Sequence, residues 1–220
     1  MSHTIGLDLG GTKVLGIVAN SDHKVVHRKK HRLSNRADIS AVMDQIGNVY
    51  VELTGQMGNE EITSVGIALP SPVDNELGRA KHLTAFQEKE VPVRDMLKER
   101  TGVDIKLGND VNMATLAEYK FGAGKGVSSL FTFYPGTGLG GGYIYKGKLV
   151  TGFNSTAAEV GHVGIDIDGP LCKCGRHGCL EAIVSYHGLK TMLGEKLSTG
   201  AESGVAHNSF RANNIFNAWQ

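Results

Sequence analysis

The chain opens on two short apolar stretches, Ile5 to Leu9 and Val14 to Val18, separated by Gly10-Gly11-Thr12-Lys13. Their length and content predict two strands joined through a glycine turn, and Lys24 to His31 follows as a third strand of the same antiparallel meander. From Asp38 to Leu53 the period changes. Ile39, Val42, Met43, Ile46, Val49, Tyr50 and Leu53 recur at helical spacing, which predicts a helix with one apolar face. Ser64 to Leu69 returns to a strand-like run and ends at the turn Pro70-Ser71-Pro72. Val93 to Arg100 reads as a short helix and Ile105 to Leu107 as a strand. Val111 to Tyr119 reads as a helix with Asn109 or Asp110 near its N-cap. Strands followed by strand–helix alternation indicate a mixed sheet with helices packed on it, an α/β domain.

Gly122-Ala-Gly124-Lys-Gly126 reads as a hinge into a second unit. That unit begins with a strand, Val127 to Tyr134, and passes through Gly136-Thr137-Gly138-Leu139-Gly140-Gly141-Gly142 into Tyr143-Ile-Tyr145. Two β-rich halves therefore each begin at a glycine-rich hairpin. The expected division is an N-terminal lobe over 1–121 and a partial C-terminal lobe over 122–220. The last segment, Ala212 to Trp219, places Ile215, Phe216 and Trp219 at helical spacing with no glycine stop after them. An amphipathic helix needs a surface on which to bury its face. The expectation is a chain cut in mid-element.

At 220 residues, 40% hydrophobic and 20% charged, the chain has the composition of a soluble globular protein. A net charge of +1 gives no overall electrostatic footprint for nucleic acid or anionic membrane. The basic run His27-Arg28-Lys29-Lys30-His31-Arg32 is the exception, and reads as a solvated edge strand whose lysines discourage strand addition. No apolar run approaches the roughly 20 residues of a membrane span, and the N-terminus lacks the regions of a signal peptide.

All three cysteines fall within Cys172-Lys-Cys174-Gly-Arg-His-Gly-Cys179, with His162 upstream in Glu159-Val-Gly-His162 and Glu181 close behind. Three thiolates and an imidazole are a donor set that Zn²⁺ takes up tetrahedrally in closed structural sites. Free thiols without a paired framework point to a reducing cytoplasm.

Glycine turns bring backbone N–H groups close to an anion, as phosphate cradles require. The first loop adds Asp8, placed to hold Mg²⁺ directly or through water, with Thr12 and Lys13 as donors. Either loop alone could be a plain hairpin turn; two of them, each with a threonine beside glycine, read as a clamp on a nucleotide's phosphates. Neither fits the P-loop or the dinucleotide fingerprint. Asp110 stands where a strand gives way to a helix. It either caps that helix or takes a proton from a substrate hydroxyl during phosphoryl transfer, and the two phosphate loops favour the second role.

These motifs, in this order, resemble the ROK family (repressors, open reading frames, kinases) of the actin-like ATPase fold, over residues 4 to about 188. They are Asp8-Leu-Gly10-Gly11-Thr12-Lys13, Asn109-Asp110-Val111-Asn112, Gly136-Thr137-Gly138-Leu-Gly140-Gly141-Gly142, Glu159-x-x-His162 and the cysteine knuckle. The resemblance implies an α/β, ribonuclease H-like, two-lobe architecture. It also implies ATP- and Mg²⁺-dependent phosphorylation of the 6-hydroxyl of a hexose or N-acetylhexosamine, with glucose as the default. By the same resemblance Asp110 is the base and Asn109 a sugar ligand. Glu159, His162 and Glu181 hold the ring hydroxyls, and His162 meets the sugar with one nitrogen and zinc with the other. Gly10, Gly11, Thr12, Lys13, Thr137 and Gly138 contact phosphates, and a homodimer is expected.

Two departures from the family pattern stand out. Ala68 and Ser71 replace usual glycines in Gly66-Ile-Ala-Leu-Pro70-Ser71-Pro72-Val73-Asp74, by the family's sugar pocket, and put the identity of the sugar in question. Family kinases also run to roughly three hundred residues, and the stretch beyond the knuckle carries their adenosine-binding turn, so an incomplete nucleotide pocket is expected. A non-catalytic, sugar-sensing regulator is the alternative. Family repressors carry a helix-turn-helix ahead of the sugar domain, and the first phosphate loop here begins at Asp8.

Overall fold

The computed structural model describes residues 2–200, which form two compact units. The first contains the described residues up to Lys125 together with Thr151–Thr156; the second contains Gly126–Val150 and the described residues from Ala157 onward.

In the first unit β1 (Ser2–Leu9), β2 (Lys13–Asn20) and β3 (Val25–Arg32) form the antiparallel meander. Its inward positions alternate, as a sheet with one covered face requires. α1 (Ile39–Gly55) covers that face, its first turn capped by the Asp38 carboxylate accepting from the Ser40 and Ala41 amides. Val42, Met43, Ile46, Val49 and Leu53 on α1 are fully buried with Leu9, Val14 and Val18. β4 (Glu61–Leu69) then runs parallel to β1.

A small antiparallel sheet follows, β5 (Val73–Asp74), β6 (Arg79–Leu83) and β7 (Glu88–Val91). α2 (Val93–Thr101), β8 (Lys106–Asn109) and α3 (Asp110–Phe121) complete the unit. β8 pairs parallel with β4, giving a mixed sheet of order β3-β2-β1-β4-β8.

The basic run lies on β3, at the edge of this sheet. Its residues divide by face: Lys29 and His31 reach Glu52 of α1 at 3.5 and 3.1 Å, while Arg28, Lys30 and Arg32 are exposed.

The second unit contains β9 (Leu130–Pro135), β10 (Leu139–Tyr145) and β11 (Lys148–Leu149) in an antiparallel sheet of order β11-β10-β9. A 3-10 turn at Val160–His162, α4 (Leu180–Val184) and α5 (Tyr186–Ser198) follow.

Three differences from the sequence expectation have physical reasons. The β5–β7 sheet is too short in each strand, two to five residues, to show an alternation. β9 begins at Leu130 rather than Val127, which is exposed. α5 buries only Gly188 and Leu197 among its residues, so no apolar stripe announces it. The expected helix at Ala212 to Trp219 lies outside the described residues. No helix among the described residues is long and apolar enough to cross a membrane.

The join between sheet and α1 depends on Gly16. A Cβ there would lie 2.6 Å from Val49 Cγ1 and 2.7 Å from Leu53 Cδ1. Gly16→Ala should therefore destabilise the fold by about 1–3 kcal/mol through overpacking. Gly55→Ala, where a Cβ meets nothing within 4 Å, should change stability by no more than about 1 kcal/mol. Denaturant melts of the two variants check this, and equal stabilities would contradict it.

Candidate active site and metal centre

The first unit gathers its candidate chemistry at the carboxyl ends of neighbouring parallel strands. Asp8 of β1 pairs in register with Ala68 of β4, and Ala68 with Gly108 of β8. In open α/β sheets ligands bind beyond such strand ends. The outer two of three adjacent strands lie about 10 Å apart, which brings Asp8 and Asp110 into electrostatic contact. Burial pushes the Asp8 carboxyl above its usual value, and Lys13 partly offsets the shift. Burial also raises Asp110, its hydrogen bonds oppose the shift, and the charge of Asp8 adds to it.

Between β1 and β2 the loop closes through Gly10 N donating to Lys13 O at 2.9 Å. The side chains of Thr12 and Lys13 stand exposed at its tip.

Asn109, not Asp110, caps α3: its Oδ1 accepts from the Asn112 amide at 2.9 Å. Its Nδ2 donates to Asp110 Oδ1 at 3.1 Å and to Ser71 O at 3.3 Å, and Asp110 Oδ1 also accepts from Val111 N at 2.8 Å. The Asp110 carboxylate is thus aimed by its neighbours rather than spent as the cap. One turn further on, Asn112 Oδ1 is buried with no hydrogen-bond partner among the described residues, an uncompensated acceptor of the kind that calls for a reason in its surroundings.

Sequence reasoning missed the use made of Ser71. Its side chain is buried; Oγ donates to Pro72 O at 2.8 Å and accepts from His82 N at 2.9 Å. The hydroxyl that replaces the family glycine ties the Pro70–Pro72 turn to β6 instead of being offered outward.

In the second unit Glu159, His162, the knuckle, Glu181 and the Gly136–Gly138 loop are knitted together. Ala158 holds a left-handed φ of 62°, uncommon for a residue with a Cβ, and turns the chain into Glu159 and the 3-10 turn. Leu180 N donates to Val163 O at 3.0 Å and Ile165 N to Gly178 O at 2.9 Å. Arg176, another residue the sequence did not single out, donates from Nη2 to His162 O at 3.1 Å. Glu181 Oε2 accepts from Leu139 N at 2.8 Å, and Tyr186 N donates to Gly136 O at 2.9 Å. Thr137 is exposed on this loop. Thr137, Gly138, Lys173, Glu181, His187 and Thr191 are among the residues lining a cavity of about 260 Å³.

One donor atom from each of His162, Cys172, Cys174 and Cys179 lies within 4.8 Å of every other. Cys174 Sγ is 3.5 Å from Cys179 Sγ, and Cys172 Sγ is 3.7 Å from His162 Nδ1. Sulfurs bound tetrahedrally to Zn²⁺ at about 2.3 Å stand about 3.8 Å apart, so spacing and donor chemistry both fit such an ion. Hydrogen bonding from the Arg176 backbone and side chain lowers the Cys174 thiol to about 6, while burial raises Cys179 to about 11.

Over residues 4–219 the chain matches the profile of the ROK family, and it belongs to that family. It is 35% identical over 192 residues to the glucokinase of Thermotoga maritima, covering 87% of this chain and 60% of that protein. It is 26% identical over 205 residues to the DNA-binding transcriptional repressor Mlc of Escherichia coli, covering 91% of this chain and 50% of the repressor. The crystal structure of a ROK family glucokinase from Streptomyces griseus in complex with glucose and AMPPNP is similar at TM-score 0.80 and 28% identity, covering 99% of this chain and 70% of that one. The α/β fold is accordingly that of the ROK sugar kinases, the actin-like ATPase fold. The chain spans less than two thirds of the length of those two curated relatives.

A carboxyl raised in the folded state holds its proton more tightly there than in the unfolded chain, so ionising it costs stability. The cost is absent below the ordinary carboxylate value of about 4 and is fully present above the raised one. Asp110→Asn keeps an oxygen for Val111 N and removes the charge beside Asp8. It should raise the thermal midpoint at pH 7, with the gain shrinking toward pH 4. Parent and variant melts at both values check this, and a lower midpoint for the variant at pH 7 would contradict it.

Proposed function

We propose that this chain serves the ATP-dependent phosphorylation of a hexose, glucose first, at its 6-hydroxyl. The observation that carries the reading is the Asp110 carboxylate: half-buried, aimed by Asn109 and Val111 N, and released from capping duty. In the reaction Asp110 takes the 6-hydroxyl proton as that oxygen bonds to the γ-phosphorus of ATP; the bond from γ-phosphorus to the bridging oxygen breaks, and ADP leaves. Asn109, Glu159, His162 and Glu181 hold the sugar. Gly10, Gly11, Thr12, Lys13, Thr137 and Gly138 hold phosphate oxygens, and Asp8 holds Mg²⁺ directly or through water.

Cys172, Cys174, Cys179 and His162 would hold Zn²⁺. When bound, that ion supplies a fixed tetrahedral anchor for the knuckle. His162 turns Nδ1 to the cysteines, which leaves Nε2 for a sugar hydroxyl and fixes its direction. A cytoplasmic homodimer with sugar and ATP as ligands, and no nucleic-acid or membrane partner, completes the reading. The likeness to Mlc supports a second one, a sugar-binding regulator without turnover. Sugar binding with no ATP consumption across glucose, N-acetylmannosamine, N-acetylglucosamine, fructose and allose would favour the regulator.

Asp110→Asn should lower kcat by about 10²–10⁴-fold while calorimetric sugar affinity stays within about threefold of the parent. An unchanged kcat refutes Asp110 as the base. For the metal site, burial pushes the Cys179 thiol up to about 11, so it must release a proton to bind zinc between pH 7 and 9. Apparent zinc affinity should therefore rise at least about tenfold per pH unit across that window. Competition with a chromophoric chelator measures it, and a flat profile would exclude Cys179 as a ligand.

A further inference from the structure

Glu181 is bonded to backbone in this structure. Its carboxylate oxygen Oε2 takes the Leu139 amide at 2.8 Å, at the point where the Gly136–Gly138 loop enters β10. The fit allows no side chain between them: a Cβ on Gly138 would stand 2.4 Å from the same Oε2. The far side of the loop is tied to the same helical pair, since Tyr186 N at the start of α5 donates to Gly136 O at 2.9 Å. Gly161, next to His162, packs so closely that a Cβ there would lie 3.2 Å from Glu181 Cβ and 2.4 Å from Leu139 O. One carboxylate therefore sits where the 3-10 turn, α4 and the glycine loop converge, and one of its two oxygens is committed to the loop backbone.

We propose that Glu181 is a positioning residue for the second glycine loop. It holds Thr137 and Gly138 in the conformation that meets phosphates, and it links that loop to the sugar through its remaining oxygen. The proposal rests on the kinase reading for what the loop and the sugar do, but the brace itself does not. A charge-assisted bond from a carboxylate to a backbone amide is among the stronger hydrogen bonds a loop can have. Coupling through one carboxylate is also reciprocal: a sugar that fixes Glu181 favours the ordered loop, and a phosphate that fixes the loop favours Glu181 in place.

Three variants test this. Glu181→Ala removes the acceptor, Glu181→Gln restores a neutral one, and Gly138→Ala displaces the carboxylate while leaving it in the chain. Hydrogen exchange at the Leu139 amide of the ligand-free protein should accelerate about tenfold or more in Glu181→Ala and Gly138→Ala. In Glu181→Gln it should stay close to the parent. Titration with ATP·Mg²⁺ in the absence of sugar should show affinity reduced about fivefold or more in the first two variants and largely kept in Glu181→Gln. A residue that served only the sugar would leave both readouts unchanged, and that result overturns the proposal. Faster exchange with undiminished nucleotide affinity overturns it as well. If the parent binds no nucleotide, exchange at Leu139 alone decides for or against the brace, and the kinase reading is judged apart from it.

Discussion

Keeping a carboxylate half out of water is expensive unless neighbouring groups stabilise its charge, and the first unit holds two of them at one end of its sheet. Asp8 and Asp110 occupy that end because β1, β4 and β8 run parallel and finish together. That constraint explains the details around them. Lys13 lies within electrostatic reach of Asp8. Asn109 takes the cap of α3 and so leaves Asp110 with a directed oxygen instead of a structural duty. Ser71 anchors the turn whose carbonyl receives the other Asn109 hydrogen. The apolar core beneath, centred on α1 and the meander, is what keeps these strand ends in register.

The second unit solves a different problem. From Ala157 to α4 it runs as a long stretch with one 3-10 turn as its only helix, and irregular backbone must find partners for its polar groups. It finds them mostly in itself, through the Cys172 N to Arg176 O bond at 2.8 Å and the contacts of Gly178 with Pro170 and Ile165. The four donors then lie at one point, so an ion there would close loops that the chain alone only brings near.

How much of this could be read from the residues depended on how local the signal was. The Gly10–Lys13 hairpin, the helix over Ile39–Gly55 and the Cys/His cluster each carry their pattern within a short window, and each appears where the pattern put it. The edge position of β3 was legible too, because a run of cations on a strand has few other places to go. What was not legible rests on contacts distant in sequence or on backbone conformation. The β5–β7 sheet has strands too short to alternate. The positive φ at Ala158 has no residue-type signal, since glycine or asparagine would be the usual occupant. The choice between Asn109 and Asp110 as cap was open because both residue types cap helices well, and it is decided by side-chain geometry.

The family departures show why a motif position and its chemistry must be judged separately. Serine for glycine at position 71 looks, on paper, like a new hydrogen-bonding group beside a sugar. In the fold its hydroxyl donates to Pro72 O and accepts from His82 N, and the buried side chain rigidifies the turn. Ala68 is a methyl in register with Asp8, and adds bulk but no hydrogen bond. Any change in sugar preference from this segment must then come through shape, or through the position of Asn109, whose amide is bonded to Ser71 O. Asn109 is the residue on which the turn, the helix cap and the aim of Asp110 all depend, so a substitution at position 71 that shifts that carbonyl would move Asp110 together with Asn109.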